Sequence, residues 1–152
     1  FLIDMPPGTS DIHLTLVQTL GITGVVIVST PQEVALADAR KGLAMFADSK
    51  INVPVLGIVE NMAWFTPEAH PDERYYIFGN GGAQRLAEEC NVPLLACIPL
   101  VAAVGERSDN GEPIALGDII AAHSFLHLAH EVTDAVERRN NELPPTTRVE
   151  LK

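Results

Sequence analysis

Four short apolar runs limit what this chain can become. They are Phe1-Leu-Ile-Asp4, Ile22-Thr-Gly-Val-Val-Ile-Val-Ser29, Val53-Pro-Val-Leu-Gly-Ile-Val59 and Val92-Pro-Leu-Leu-Ala-Cys-Ile98. Each is rich in β-branched residues or leucine and is continuous rather than alternating. Short continuous apolar runs belong to strands covered on both faces, as in a parallel sheet. Helical patterns lie between them. Asp11 to Leu20 places Ile12, Leu16 and Leu20 on one face. Thr30-Pro-Gln-Glu33 reads as a helix start, with Thr30 as N-cap and Pro31 at the first helical position. The helix it opens is expected to run to about residue 48 and to bury Leu36, Ala39, Leu43 and Phe46. Asn80-Gly-Gly starts another helix, through Leu86 to Cys90. A last one, from about Asp118 to Arg139, sets Ile119, Ala122, Phe125, Ala129, Val132 and Val136 at helical spacing.

Strands alternating with helices through short links predict right-handed βαβ units. The expected fold class is α/β, a three-layer sandwich with a mostly parallel sheet. At 152 residues the chain suits one domain. The pattern assigns residues 1–139 to that domain and 140–152 to a polar, proline-containing tail expected to be mobile. One irregular stretch, Ala63 to Gly79, breaks the alternation; loops of that length are usually functional or disordered. The chain opens without methionine and inside an apolar run, so it reads as the interior of something larger.

Charge narrows the partners. A formal net charge of −10 repels phosphate backbones and anionic headgroups, which argues against nucleic acid and membrane surfaces. No apolar run approaches the ~20 residues of a membrane span, and no signal-peptide pattern opens the chain. Two cysteines without secretory context, Cys90 and Cys97, are expected as reduced thiols in a cytoplasmic protein.

In open parallel sheets ligands bind at the carboxyl ends of the strands. Three expected strand ends carry distinctive residues: Asp4-Met-Pro-Pro-Gly-Thr, Glu60-Asn-Met and Pro99-Leu100. An apolar strand ending in aspartate, then a Pro/Gly turn, has the Walker-B layout, in which the carboxylate holds Mg²⁺ or one of its waters. Gly8 would let the backbone approach a terminal phosphate. Equally, Asp4 could cap the turn and Pro6-Pro-Gly8 merely reverse the chain.

The set as a whole closely resembles one family. Asp4-Met-Pro-Pro-Gly-Thr-Ser-Asp11, Val28-Ser-Thr-Pro-Gln-Glu33, Gly57-Ile-Val-Glu-Asn-Met62, Phe78-Gly-Asn-Gly-Gly82 and Ile98-Pro-Leu100 stand in the order and spacing of Mrp/ApbC proteins. These are P-loop ATPases related to MinD and to the nitrogenase iron protein, regarded as iron–sulfur cluster carriers. The resemblance covers roughly residues 1–137. It implies ATP and Mg²⁺ as cofactors, a homodimer, and iron–sulfur recipient or assembly proteins as partners.

The resemblance also implies residue roles. Asp4 and Asp11 are the candidate catalytic carboxylates, Asp4 acting through a magnesium-bound water. Asp11 either positions the attacking water or serves the following helix through its dipole, the second being favoured. Gly8 and Thr9 lie in the segment that senses the γ-phosphate. Asn61 reads the base, with Pro99 and Leu100 packing against it; its other reading is a cap at the strand–loop junction. No Gly-x-x-x-x-Gly-Lys-[Ser/Thr] occurs, so the phosphate cradle is absent and the chain alone is expected not to hydrolyse ATP.

One departure stands out. Many relatives place Cys-x-x-Cys in the loop after Asn61, where two thiolates per subunit could bridge a cluster. Here the loop has Trp64, Phe65, Tyr75 and Tyr76 instead, with His70 as its one soft donor. Those aromatics either form a docking or dimer surface or cover the edge of the core. Cys90 and Cys97 read as core packing. His123, His127 and His130 lack a supporting carboxylate set and read as surface residues, so no iron–sulfur ligands are assigned. A MinD-like ATP-dependent dimerising regulator or scaffold without cluster is the alternative function.

Overall fold

In a computed structural model, described for residues 1–67, 69–70 and 72–149, the chain forms a parallel sheet between two helical layers. The elements run α1 (Asp11–Thr19), β1 (Val25–Ser29), α2 (Glu33–Ala47), β2 (Val55–Glu60), α3 (Gly82–Cys90), β3 (Leu94–Cys97), α4 (Ala102–Asp109), a 3₁₀ turn (Ile114–Leu116) and α5 (Ile120–Glu142). Sheet order is β1-β2-β3 with both pairings parallel. β2 is central and almost wholly buried, which is why its sequence is a continuous apolar run.

Two cores result from the two faces. Ile27, Ile58 and Leu94 face Leu36, Ala39 and Leu43 of α2 and Ala83, Leu86 and Ala87 of α3. Val26, Val59 and Ala96 face Phe125, Leu128, Val132, Ala135 and Val136 of α5. The predicted three-layer α/β class is therefore correct, as are all four predicted core positions of α2. On α5 the predicted stripe holds at Ala122, Phe125, Val132 and Val136. Ala129 is exposed, and Ala121, Leu128 and Ala135 supply the remaining inward positions. α4 and the 3₁₀ turn have no counterpart in the sequence pattern; neither buries a residue fully, so neither carries an apolar period to read.

Several expectations fail at the amino-terminal side. Phe1–Asp4 is not a strand. Residues 1–10 carry no regular structure, and Phe1, Leu2 and Ile3 are exposed. No backbone bond ties residues 1–9 to the sheet among the described residues, and without a ladder an apolar run has nothing to make it a strand. α1 forms where expected but buries His13 and Val17 rather than Ile12, Leu16 and Leu20. Its one seat is a small cluster with Phe46, Val53 and Val149. Ile12 is 59% exposed, because no layer lies on that side of the helix.

The start of α2 is also shifted. Gln32 is the N-cap, and the Thr30 hydroxyl bonds Gln32 Oε1 at 3.0 Å instead of capping the helix. Of the expected tail, residues 140–149 are described. α5 continues past residue 139 to Glu142, and Arg139 donates to the Pro144 carbonyl (2.8 Å) and Thr146 Oγ1 (2.5 Å). Val149 N–H then reaches the Val17 carbonyl at 3.0 Å, which lays residues 144–149 against α1. Among the described residues no helix is long and apolar enough to cross a membrane.

α3 meets the β1–α2 link at Gly82. A Cβ there would stand 2.3 Å from the Pro31 carbonyl oxygen and 2.7 Å from Leu36 Cδ1. Gly82→Ala is therefore expected to destabilise by about 1–3 kcal/mol through overpacking. Gly105→Ala, inside α4 with nothing within 4 Å of its Cβ, is expected to stabilise by at most about 1 kcal/mol. Urea midpoints of the two variants check this; equal midpoints would contradict the close approach.

Candidate functional site at the carboxyl edge of the sheet

The three strands end in one register row, with Ser29 opposite Glu60 and Glu60 opposite Cys97. Strand alternation puts these three side chains on the α2/α3 face, one step beyond Ile27 and Ile58. Glu60 is 3% exposed, yet its Oε2 accepts the Ala83 N–H at 2.7 Å. That donor is one of the free amides of α3's first turn, so an internal carboxylate occupies the positive end of the helix. The glycine-rich start of α3 has the look of an anion cradle, and Glu60 already fills it.

Past this row the backbone keeps pairing. Asn61 N–H donates to the Ser29 carbonyl (2.7 Å) and Ile98 N–H to the Glu60 carbonyl (2.8 Å). Ala63 N–H donates to the Ile98 carbonyl (2.9 Å), and Leu100 N–H to the Trp64 carbonyl (2.7 Å). These bonds bring Asn61, Pro99 and Leu100 to adjacent strand ends. Asn61 Oδ1 accepts its neighbour's amide, Met62 N–H, at 3.0 Å, the capping contact. Its Nδ2 has no protein acceptor among the described residues, so that donor is available to an acceptor on a flat ligand edge.

The other predicted residues sit apart from this cluster. Asp4, Gly8 and Thr9 lie in the exposed segment before α1, and Asp4 is not at a strand tip. Gly8 has φ 80°, and a Cβ placed on it would meet nothing within 4 Å, so its backbone is open to approach. Asp11 is in the first turn of α1 behind Ser10, the N-cap, where its charge suits the helix dipole.

The 63–79 loop is pinned at its base. Phe65 and Tyr75 exchange both backbone bonds at 2.8 Å, and Phe65 also bridges to Leu100. The Arg74 guanidinium lies 4.3 Å from the Trp64 ring centroid. Tyr75 donates its hydroxyl to Glu73, and that bond raises the phenol above its ordinary range. Tyr75, Tyr76 and Ile77 remain exposed. His70 is exposed, 3.7 Å from Glu73 Oε1. His123 and His127 pair loosely with Asp118 and Glu131. Among the described residues no group of three or more His, Cys, Asp or Glu could hold a metal.

Both cysteines are free thiols and lie at opposite ends of the sheet, Cys90 closing α3 and Cys97 ending β3. Cys97 is raised above an ordinary thiol, first by burial and then by the Glu60 charge, with Arg74 pulling weakly the other way. Two thiols so placed do not fit one cluster. Sequence reasoning places Glu60 in a distinctive strand end but assigns it no role. Its signal is nonetheless there to read: a carboxylate closing a fully apolar strand, with a Gly-Gly helix start further along for it to satisfy.

Known proteins are similar to this chain. A family model described as "ParA: NUBPL iron-transfer P-loop NTPase" matches residues 1–133. An "Iron-sulfur cluster carrier protein" of Synechocystis is 51% identical over 137 residues, 89% of this chain and 38% of the relative. The mouse "Iron-sulfur cluster transfer protein NUBPL" is 44% identical over 134 residues, 86% of this chain and 41% of that protein. The chain thus spans about two-fifths of these relatives. A solved nucleotide-binding protein from Archaeoglobus fulgidus, in complex with ADP, aligns at TM-score 0.61 and 41% identity over 70% of this chain and 43% of that one. The Pyrococcus furiosus cell division ATPase MinD aligns at TM-score 0.53 and 24% identity over 72% of this chain and 41% of that one, a likeness of fold alone.

Cys97 carries the test of the site's electrostatics. Its alkylation rate, followed by peptide mass spectrometry across pH, is expected to rise at higher pH than for an unstructured thiol. Glu60→Gln removes the opposing charge and should move that rise to lower pH. An unchanged profile would separate Glu60 from Cys97.

Proposed function

This chain belongs to the family of NUBPL-type iron-transfer P-loop NTPases, and from that premise we propose that the full-length protein is an ATP-binding, ATP-hydrolysing carrier that passes iron–sulfur clusters to recipient or assembly proteins. The observation that carries the reading is that Asn61 follows β2 and Pro99 and Leu100 follow the neighbouring β3 at the carboxyl edge of a parallel sheet, inside the matched region. The proposal concerns the full-length protein because hydrolysis needs a phosphate cradle, and these 152 residues contain none.

In this reading Asn61 offers its carboxamide nitrogen to the base, and Pro99 and Leu100 lie against the ring. Mg²⁺ would neutralise phosphate charge, and Asp4 would be the residue to hold it through a water. Gly8 lets the main chain approach the terminal phosphate, with Thr9 beside it. Asp11 supports the helix start or orients the attacking water. Motif similarity supports the roles of Asp4, Gly8 and Thr9; they lie off the sheet here. The cluster is cargo, and the protein acts as a cytoplasmic homodimer without nucleic-acid or membrane partners.

Full-length protein should lose at least about a hundredfold in ATP turnover on Asp4→Ala. Equal turnover by the two proteins would remove the assigned role.

A second reading is favoured by the two thiols, which are too far apart in the fold to share a cluster. In it, ATP drives dimerisation and partner binding in a regulator or scaffold, with no cargo. Anaerobic reconstitution of the full-length protein with iron and sulfide separates the two. We expect stoichiometric iron and a charge-transfer absorbance band; a colourless, iron-free product would favour the scaffold.

A further inference from the structure

Glu60 and Asn61 are consecutive, and the tip of β2 that they form is held from three directions. Within the sheet, the Glu60 carbonyl accepts the Ile98 N–H at 2.8 Å, and Asn61 N–H donates to the Ser29 carbonyl at 2.7 Å. Out of the sheet, the Glu60 side chain, 3% exposed, accepts the Ala83 N–H at 2.7 Å, and Ala83 is itself fully buried. Beyond Asn61 the chain leaves the strand at Met62, whose φ of 54° is left-handed. Every one of these contacts joins residues between 29 and 98, so the tip is built within one continuous stretch of chain.

The three supports act differently. Ladder bonds hold a strand tip in the plane of the sheet and leave it able to rock about its own axis. A side chain tied to another layer stops that rocking. Successive side chains of a strand leave on opposite faces, so fixing where Glu60 points also fixes where Asn61 points. Asn61 spends its Oδ1 on the Met62 N–H at 3.0 Å, and its Nδ2 is the donor left for a ligand. A turn of the strand tip would swing that donor away.

We propose that Glu60 is a positioning residue for Asn61: its carboxylate, anchored on the Ala83 amide, locks the tip of β2 so that the Asn61 carboxamide is held ready for the base. This rests on the reading above, in which Asn61 attends the base. Glu60 touches no ligand in this role. Its anchor is firm because a buried carboxylate has few donors to choose from and loses much by releasing one. A side chain that cannot accept would leave the Ala83 amide unpaired and free the start of α3 to move off the strand tip.

The test uses full-length protein with Mg²⁺ and calorimetric titration of two ligands, ATP and inorganic tripolyphosphate, which has the phosphates without a base. Glu60→Leu fills much of the space with no acceptor and is expected to weaken ATP about tenfold while leaving tripolyphosphate affinity unchanged. Glu60→Gln keeps an oxygen for the Ala83 N–H and should recover most of the loss. A role in folding alone would weaken both ligands alike. Wild-type ATP affinity in Glu60→Leu, equal losses for the two ligands, or Glu60→Gln as weak as Glu60→Leu overturns the proposal.

Asn61→Ala titrated alongside separates the two levels of inference. If it weakens ATP while Glu60→Leu does not, the base reading stands and the Glu60 role falls. If it binds ATP as the wild type does, both fall. Should Glu60→Leu fail to fold, or tripolyphosphate fail to bind, amide exchange of the wild-type protein decides, because coupling between two sites is reciprocal. ATP must then slow exchange at Ala83 more than at Leu43 of α2, and equal slowing overturns the proposal.

Discussion

The geometry of the site depends on how one buried charge is satisfied. Glu60 closes the central strand with a carboxylate almost wholly out of water. Such a group is tolerable only with donors to hold it, and the first turn of a helix offers them together with a favourable dipole. The bond to Ala83 N–H supplies this and brings α3's start onto the tip of β2. For the contact to close, the helix must pass hard against the Pro31 carbonyl, and only a residue without Cβ fits at position 82. The charge, the missing side chain and the β1–α2 link thus form one joint. From it hang the strand ends that present Asn61 and Pro99, and the return of the 63–79 loop.

That joint explains which parts of the fold are legible in the sequence. β2 and β3, α2, α3 and α5 bury apolar residues against two layers, and their periodicities say so directly. β1 is already less clear, with Val28 60% exposed because the strand has one neighbour and an incomplete cover on the α5 side. Phe1–Asp4 has the composition of a strand but no ladder to join. Composition reports what a segment would bury if something lay beside it; it does not supply the neighbour. The same reasoning covers α1, whose apolar stripe at Ile12, Leu16 and Leu20 reads as the inward face. The body offers that helix only the small seat at Phe46 and Val53, and His13 and Val17 take it.

The candidate site divides along the same line. Asn61, Pro99 and Leu100 can be placed from the sequence because each closes an apolar run, and the structure sets them just past the neighbouring strands β2 and β3. The role of Glu60 is not legible, because its burial depends on a helix start more than twenty residues away. The burial of His13 is hidden for a related reason: a lone histidine in a short helix has no pattern, and its contact with Phe46 is one that sequence spacing does not encode. The aromatic loop is legible as a feature and not as a shape. Its Phe65–Tyr75 pairing and Arg74–Trp64 stacking make an ordered excursion that leaves Tyr75, Tyr76 and Ile77 facing outward.

Cargo chemistry sets the last constraint. Iron–sulfur clusters are held by thiolates, and a thiol binds well only where its surroundings favour the deprotonated form. Cys97 has the opposite surroundings, since burial and Glu60 both favour the protonated thiol. Cys90 closes a helix at the far end of the sheet. Burial first, and then the carboxylate of the fold joint, thus raise the Cys97 thiol. The two cysteines lie at opposite ends of the sheet, so neither offers the other a second thiolate for one cluster within this chain.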